Sequence, residues 1–353
     1  MVIVEEDNIK VVLLLGKTAK GKQLRNSLRE KGVDVKWIPD LNLKEVKWLI
    51  LNDYDIIHAG SYDFYGFIGS VFRYFKDTNL TIIIRGVGES KFRKERKTIF
   101  RRFATEVFEK ISLRSSDHVF FISGDVRNYV LKNFPFLENN SSIMHNGIDM
   151  EKFQYSEKVR LYRRFSRVNR DDKILITVTN LRSIHHYKAE GVKLLVDSLK
   201  DVLREHPEVK LLVVGGGELL DDCKDYAQKK EYSANIIFTG FIERDNIPPL
   251  LGESDIFLYS SSVDAYPTVI REAQAAGLPV VASNQAGIPE TVGEAGVIVS
   301  PNPNEFACEV NNLLNNPKKQ NEYSKKSVEK SRRETWENIS GQYIHKFKQI
   351  LKS

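Results

Sequence analysis

Twelve short apolar runs, separated by segments of helical length, constrain the fold of this 353-residue chain more than any other feature. Runs that alternate with amphipathic stretches such as LRNSLREKG have the β–α–β rhythm of a parallel sheet covered by helices. The first six are VVLLLG (11–16), DVKWI (34–38), DIIHAG (55–60), TIIIRG (81–86), HVFFIS (118–123) and SIMHNG (142–147). The second six are KILITVTN (173–180), KLLVVGGG (210–217), NIIFTG (235–240), DIFLYSS (255–261), PVVASN (279–284) and GVIVS (296–300). We therefore predict an α/β protein with two Rossmann-like, doubly wound parallel-sheet domains.

A basic, polar stretch separates the two sets of runs. EKVRLYRRFSRVNRDD (157–172) contains no strand-like run, and the chain is longer than one core usually serves. We interpret this stretch as a linker between an N-terminal domain, residues 1–156, and a C-terminal domain, residues 173–335.

Composition favours a soluble, cytoplasmic protein. Hydrophobic residues make up 41% of the chain and charged residues 28%. No apolar run approaches the roughly 18 residues that a membrane-spanning helix needs. The first residues, MVIVEEDNIK, have acids where a signal peptide would have a basic region. Cys223 and Cys308 are far apart and lack a nearby metal-ligand pattern, so we expect neither a disulfide nor a metal site.

The positive charge is concentrated in KFRKERKTIFRR, residues 91–102, which holds seven basic residues and one acid. Basic residues at the start of a helix oppose its macrodipole, and an external anion would relieve that cost. Either this segment binds anionic lipid headgroups or a lipid-linked diphosphate, on the inner face of the membrane, or it is a solvated basic face. Nucleic acid is not an expected partner, because no recognised binding motif accompanies the cluster.

GKTAKGKQ, Gly16–Gln23, is similar to the phosphate loop of nucleoside triphosphatases. However, Gln23 replaces the magnesium-binding hydroxyl, and no apolar run ends in the acid that such enzymes use. We therefore do not predict an ATPase. Gly16 still opens a helix whose free amides favour anions, so this turn either faces a phosphate or is an ordinary turn with solvated lysines.

Asp53 and Asp55 are similar to the paired acids of metal-dependent sugar transferases. Both precede an apolar run, whereas ligands of open α/β sheets gather at the carboxyl ends of strands. We expect these acids to cap the beginning of a strand.

VDAYPTVIRE, which ends at Glu272, follows the run DIFLYSS and carries a plausible binding site. Pro267 is suited to the first turn of a helix, where free backbone amides form a cradle for an anion or a hydroxyl. Glu272 lies about one and a half turns further along, and its carboxylate can accept two hydrogen bonds from a diol such as ribose. The alternative is that Asp264 caps the helix and Glu272 is a solvated acid.

Residues 238–292 resemble the signature of glycosyltransferase family 4, a GT-B family. In that signature an acid, a small residue, an aromatic residue and Pro are followed by Glu eight positions after the acid; here these are Asp264, Ala265, Tyr266, Pro267 and Glu272. AAGLPVVAS and AGIPETV match downstream, and RSSDHVFFIS, HNGID and VVGGGEL match other landmarks in order. The resemblance implies two Rossmann-like domains that face a cleft, with a last helix, about residues 336–353, packing back on the first domain.

The resemblance also implies roles for individual residues. Asp264 and the amides of Ala265 to Thr268 would orient the sugar and phosphates, and Glu272 would hold the ribose. The complete set expected to contact the nucleotide is Gly16, Gly217, Ala265, Tyr266, Pro267, Thr268 and Glu272. Arg85 stands where family members often have His or Arg facing the donor sugar.

Two positions depart from the family. Asp264 replaces the usual Glu, and Asn180 replaces the commonest Arg of a diphosphate-binding pair. The nearest cations, Arg182 and Lys188, fit a leaving diphosphate that gains negative charge, and the alternative is that both are surface charges.

We expect a retaining, metal-independent glycosyltransferase that uses a nucleotide-diphosphate sugar of UDP, GDP or ADP type and requires no cofactor. The acceptor could be a lipid-linked saccharide, a polysaccharide precursor of the cell surface or a small metabolite. Two alternatives stay open: a nucleotide-sugar epimerase of the GT-B fold, and a non-catalytic protein that binds the membrane surface.

Overall fold

A computed structural model describes residues 9–86, 99–154 and 161–352 of the chain. The chain divides into two compact units, described here separately. The N-unit comprises residues up to Gly147 together with those from Glu334 onward, and the C-unit comprises Ile148–Arg333.

The N-unit contains a six-stranded parallel sheet in the order β2-β1-β3-β4-β5-β6. Its strands are β1 Lys10–Leu14, β2 Asp34–Trp37, β3 Ile56–Ala59, β4 Asn79–Ile84, β5 His118–Phe121 and β6 Ser141–Ile143. Its described helices are α1 Ala19–Glu30, α2 Leu43–Leu51, α3 Phe64–Phe75, α4 Ile99–Ser115, α5 Gly124–Leu131 and α15 Trp336–Ile350.

The C-unit contains a second six-stranded parallel sheet in the order β12-β11-β10-β7-β8-β9. Its strands are β7 Lys173–Val178, β8 Val209–Val214, β9 Ile236–Gly240, β10 Ile256–Tyr259, β11 Val280–Ser283 and β12 Gly296–Val299. Its described helices are α6 Glu151–Gln154, α7 Leu161–Arg164, α8 His186–Glu205, α9 Leu220–Gln228, α10 Ile247–Gly252, α11 Thr268–Ala275, α12 Ile288–Val292, α13 Pro303–Leu314 and α14 Pro317–Arg333.

Each of the twelve predicted apolar runs overlaps a strand, so the predicted α/β class with two doubly wound sheets is confirmed. Most strands are apolar because both of their faces are buried, as in β1, where Val11 to Leu14 are at most 1% exposed. Most runs extend beyond their strands at the carboxyl end, where the chain turns toward the next helix.

The last helix, α15, belongs to the N-unit core. Tyr343 and Phe347 are buried among residues of β1, and the hydroxyls of Ser27 and Ser340 lie 2.8 Å apart. The described part of the predicted linker packs on the second sheet, because Leu161 and Val168 are buried in the C-unit core.

The apolar residues of helix α4 are not all buried. Ile111 is 39% exposed, whereas Ser112 and Leu113 are buried. None of the helices in the described ranges has the length and apolarity needed to cross a bilayer.

Each sheet has one switch point, a place between two neighbouring strands on either side of which the chain adds its later strands in opposite directions. In the N-unit this point lies between β1 and β3, and in the C-unit it lies between β7 and β10. Helices leave opposite faces of the sheet on the two sides of such a point, which opens a crevice at the carboxyl ends of the strands.

Helix α8 lies directly against the end of β10, because Gly191 has no side chain. A Cβ atom on Gly191 would lie 2.0 Å from the carbonyl oxygen of Ser260. Lys188, three residues earlier and on the same side of the helix, is thereby brought to the carboxyl end of β10.

We expect Gly191→Ala to destabilise the C-unit by about 1–3 kcal/mol, because the added methyl group must push α8 away from a backbone carbonyl. The control is Gly341→Ala in α15, where a Cβ atom meets nothing within 4 Å. The control should stabilise the N-unit by about 0.5–1 kcal/mol through helix propensity. Urea unfolding measures both changes, and an unchanged stability of Gly191→Ala would contradict the close packing.

Candidate functional site

The candidate site lies at the carboxyl edge of the C-unit sheet, around the switch point between β7 and β10. Loops after three strands supply its residues: Thr179–Ser183 after β7, Gly215–Glu218 after β8, and Ser260–Pro267 after β10. This is where a ligand is expected in an open α/β sheet.

Glycines allow the loops after β7 and β8 to touch. Gly215 and Gly217 have φ values of 138° and 144°, which other residues rarely adopt. A Cβ atom on Gly215 would lie 1.8 Å from the Thr179 carbonyl oxygen, and one on Gly217 would lie 2.4 Å from the Leu181 carbonyl. Gly217 therefore holds the loop that carries Arg182.

Asp264 is fixed by hydroxyl groups. Its Oδ2 accepts hydrogen bonds from the Tyr259 hydroxyl at 2.7 Å and from Ser261 Oγ at 2.6 Å. Burial, reinforced by the Asp264 charge, holds the pKa of Tyr259 well above its usual value, so this hydroxyl remains a donor. Asp264 does not cap a helix through any hydrogen bond that the structure describes, so the capping alternative is not supported.

Lys188 and Asp264 form an ion pair across the switch point. Lys188 Nζ lies 3.5 Å from Asp264 Oδ1, and the two side chains are 18% and 19% exposed. Arg182 is exposed on the neighbouring loop, beside Glu218. The pKa of Glu218 is lowered first by a hydrogen bond from its own backbone amide, then by the Ser183 amide, which donates to its carboxylate at 2.9 Å, and by the nearby Arg182.

Helix α11 begins at Thr268, and Pro267 is its N-cap residue rather than a residue of the first turn. The preceding loop is pinned by Gly287, whose amide donates to the Asp264 carbonyl at 3.1 Å. A Cβ atom on Gly287 would lie 1.6 Å from the Ala265 carbonyl oxygen. The Tyr266 ring is buried and packs near the cationic groups of Arg271 and Lys330.

Glu272 is not a solvated helix acid. Its side chain is 7% exposed, and its Oε1 accepts a hydrogen bond from Arg244 at 2.9 Å. Arg244 begins a short 3₁₀ turn, Arg244–Asn246, after β9, and its own side chain is 60% exposed. Sequence reasoning missed Arg244, because it lies 28 residues before Glu272 and no local pattern joins the two.

In the N-unit, Arg85 directly follows β4, and its Nη1 lies 3.4 Å from the position of a Cβ atom on Gly60. Gly16 follows β1 by one residue, and the next helix is capped by Thr18, which accepts a hydrogen bond from the Gly21 amide at 3.0 Å. The structure thus brings Asp264 and Lys188 together in the C-unit and leaves Arg85 and Gly16 in the N-unit.

The prediction for Asp55 is confirmed, since it precedes β3 and accepts a hydrogen bond from the Lys10 amide at 2.7 Å. The prediction for the basic segment 91–102 falls on residues that the structure does not describe: residues 91–98 lie outside the described ranges, and so do the side chains of residues 99–102.

Tyr259→Phe should destabilise the C-unit by about 1.5–3 kcal/mol, because it removes a buried donor from the Asp264 carboxylate while preserving shape. Tyr226→Phe is the matched control, since Tyr226 bonds to the partly exposed Asp197 at 2.6 Å, where water can replace the hydroxyl. Thermal and urea unfolding should give the larger loss for Tyr259→Phe. Equal losses would mean that the Tyr259 bond is not specially important.

Two family models match consecutive parts of the chain. The model for glycosyltransferase family 4 matches residues 19–152, and that for glycosyl transferases group 1 matches residues 159–330. An uncharacterized glycosyltransferase from Methanocaldococcus jannaschii is 26% identical over 261 residues, 69% of this chain and 63% of that protein. The spore coat protein SA of Bacillus subtilis is 27% identical over 254 residues, 67% of this chain and 64% of that protein. Both matches span less than two thirds of the relative's length.

The fold has a counterpart among solved structures. The Anabaena protein HepE, in complex with UDP, superposes with a TM-score of 0.72 and 17% identity over 97% of this chain and 100% of that chain. This likeness shows the GT-B fold. The two family models together span most of the chain, so the chain belongs to the glycosyltransferases that have this fold.

Proposed function

We propose that this chain transfers a sugar from a nucleotide-diphosphate sugar to a hydroxyl group of an acceptor, with retention of configuration and without a metal ion. The observation that carries the proposal is the buried Glu272 carboxylate on α11, in the same segment as Asp264, which pairs with Lys188 of α8. Membership of the GT-B glycosyltransferases supports the reaction class.

Glu272 would hold the ribose of the donor. A buried carboxylate is costly unless it is paired, and Arg244 supplies one partner while remaining mostly exposed itself. The Arg244 contact offsets part of the cost of burying Glu272, and a carboxylate can accept more than one hydrogen bond. The vicinal hydroxyls of a ribose would therefore donate to Glu272.

Asp264 and the backbone of residues 265–268 would orient the sugar and the phosphates. The two hydroxyl bonds to Oδ2 fix the Asp264 carboxylate, so that Oδ1 can accept a sugar hydroxyl. The free amides at the start of α11, and the positive end of its dipole, favour a phosphate beside them. Ala265, Tyr266 and Thr268 would contribute backbone groups, with Pro267 fixing the turn.

Lys188 and Arg182 would stabilise the leaving diphosphate. When the bond between the anomeric carbon and the phosphate oxygen breaks, the diphosphate leaves with the electron pair and gains negative charge. The acceptor oxygen forms the new bond and passes its proton to the leaving diphosphate. A lysine held at the switch point supplies positive charge without reorganising at that moment. No cofactor is needed, because positioning and electrostatics provide the catalysis.

UDP sugars are the first donors to test, since HepE, which shares the fold, was crystallised with UDP. GDP and ADP sugars are the alternatives. The N-unit, within residues 1–156, with the last helix, would carry the acceptor, a glycan or a lipid-linked saccharide, and the region 173–335 would carry the donor. Gly16 and Gly217 would line the phosphate-facing turns of the two sheets.

Calorimetric titration with UDP, GDP, ADP and ATP, each with and without magnesium, tests the donor site. We expect one nucleoside diphosphate to bind without magnesium, and Glu272→Ala to weaken that binding roughly tenfold to hundredfold, because it removes charged hydrogen bonds to ribose. Glu231→Ala is the control, since Glu231 is exposed and precedes β9, away from the carboxyl edge.

A folded Glu272→Ala variant with unchanged nucleotide affinity would contradict the donor site. Magnesium-dependent binding of ATP that is abolished by Lys22→Ala would instead make Gly16–Gln23 the nucleotide site.

We also propose that the N-unit docks on anionic membrane surfaces on the cytoplasmic side. Tyr74 and Phe75 at the end of α3 are 84% and 76% exposed, and Ile111 on the adjacent α4 is 39% exposed. Phe67 and Phe108 stack at 4.2 Å and hold the two helices side by side. In sequence, the basic segment 91–102 leads into α4, so apolar and cationic groups are combined as at a membrane interface.

Flotation with vesicles that contain anionic phospholipid should show binding that weakens with added salt. Replacing Tyr74 and Phe75 by Ser should weaken binding on the order of tenfold or more, because their apolar area no longer enters the interface. The control is Tyr129→Ser on α5, where the exposed aromatic is 46% exposed. Equal binding of the double variant and the unmodified protein would refute membrane docking through this surface.

A further inference from the structure

The guanidinium group of Arg85 lies at the switch point of the N-unit sheet. Arg85 follows the last residue of β4, and its Nη1 lies 3.4 Å from the position of a Cβ atom on Gly60, at the end of β3. The Gly60 amide donates to the carbonyl of Leu14, the last residue of β1, at 2.9 Å. Arg85 therefore reaches from β4 toward the crevice between β3 and β1, where such sheets bind ligands.

Arg85 has no counter-ion in the described part of the chain. No carboxylate there pairs with it, and its Nε is buried without a hydrogen-bond partner. Burial lowers the pKa of the guanidinium from its ordinary value, yet arginine remains charged in proteins. A desolvated cation of this kind is costly unless an anion joins it.

The ionisable groups beside Arg85 do not supply that anion. His58 Nδ1 lies 2.9 Å from Thr81 Oγ1, and burial, with Arg85 adding to it, lowers the pKa of His58 to about 3. Burial likewise raises the pKa of Tyr343, so its phenol stays neutral. Both side chains are therefore uncharged at neutral pH.

Two described carboxylates, in the loops after β2 and β3, are already engaged. Asp63 accepts a hydrogen bond from Ser61 Oγ, and Asp40 forms an ion pair with Lys17 at 2.6 Å.

We infer that Arg85 binds a phosphate group of the acceptor substrate. The planar guanidinium matches a phosphate through paired hydrogen bonds. In the proposed function, on which this inference rests, Lys188 and Arg182 of the C-unit serve the donor diphosphate. The family resemblance assigned the Arg85 position to the donor sugar, but a cation without a counter-ion suits a phosphate better than a neutral sugar, and the phosphate left to assign is that of the acceptor. The acceptor is then a phosphorylated molecule, either lipid-linked or water-soluble.

The arginine Nε–Hε signal of Arg85 in the ¹⁵N-labelled protein, saturated with UDP, tests this directly. A buried Nε–Hε exchanges slowly with water, and Arg85→Lys removes and so assigns its signal. The probes are methyl phosphate, farnesyl diphosphate and glucuronate. We expect the two phosphate esters to shift the signal, and Arg85→Gln to weaken their binding by about tenfold or more, with UDP affinity unchanged.

Arg114→Gln is the matched control, because Arg114 is exposed at the end of α4 and should leave phosphate binding unaltered. Tighter binding of farnesyl diphosphate than of methyl phosphate supports a lipid-linked acceptor, and equal binding supports a soluble one. Thermal unfolding of Arg85→Gln and Arg85→Lys checks that both variants fold, and the signal of the unmodified protein decides the question if they do not.

Three results would overturn the inference: no shift with either phosphate ester, a shift with glucuronate alone, or a shift on adding UDP alone. The second would assign Arg85 to a carboxylated sugar, and the third to the donor diphosphate. Failure of the proposed donor site would be seen separately. In that case Glu272→Ala would retain UDP affinity, while phosphate esters would still shift the Arg85 signal.

Discussion

Parallel pairing of the strands is the constraint on which the candidate site depends. Because neighbouring strands in each sheet run the same way, every loop that follows a strand emerges at one edge. The order of the strands then decides which loops meet. In the C-unit, β7 and β10 are neighbours although 77 residues separate the end of one from the start of the other, Val178 and Ile256. This pairing brings the segment of Lys188 to that of Asp264.

Close backbone approach turns this shared edge into a site of defined shape. Gly191 lets α8 touch the end of β10, and Gly287 lets the next loop touch Ala265. Gly215 and Gly217 do the same for the loops after β7 and β8. Each contact is between main chains, so its geometry does not depend on side-chain rotamers. Residues such as Asp264 are therefore mounted on a rigid support, which suits catalysis by positioning.

The sequence was sufficient to predict the strands of both sheets but not the hydrogen bonds between residues of the candidate site. Apolar runs of strand length predicted the strands that the structure describes, since most of these strands are buried on both faces and need no distant partner to be recognised. Asp264 and Glu272 were identifiable because they share one short segment. Arg244 was not, because its bond to Glu272 arises only when β9 and β10 lie on either side of β7 and β8. Ile111 in α4 is 39% exposed, since a helical pattern fixes which residues align but not how far the covering layer extends.

The two oxygen atoms of the Asp264 carboxylate have contacts of different strength, and this difference bears on the proposed mechanism. Oδ2 is held by the hydroxyls of Tyr259 and Ser261 at 2.7 and 2.6 Å, whereas Oδ1 has Lys188 at 3.5 Å, beyond a strong hydrogen bond. The tight side fixes the position of the carboxylate, and the loose side can exchange partners at low cost. A diphosphate that attracts Lys188 would free Oδ1 to accept a sugar hydroxyl. In the proposed function, Lys188 recognises the phosphate and Asp264 recognises the sugar. Because these two side chains form one ion pair, binding of the phosphate to Lys188 also frees Asp264 to bind the sugar.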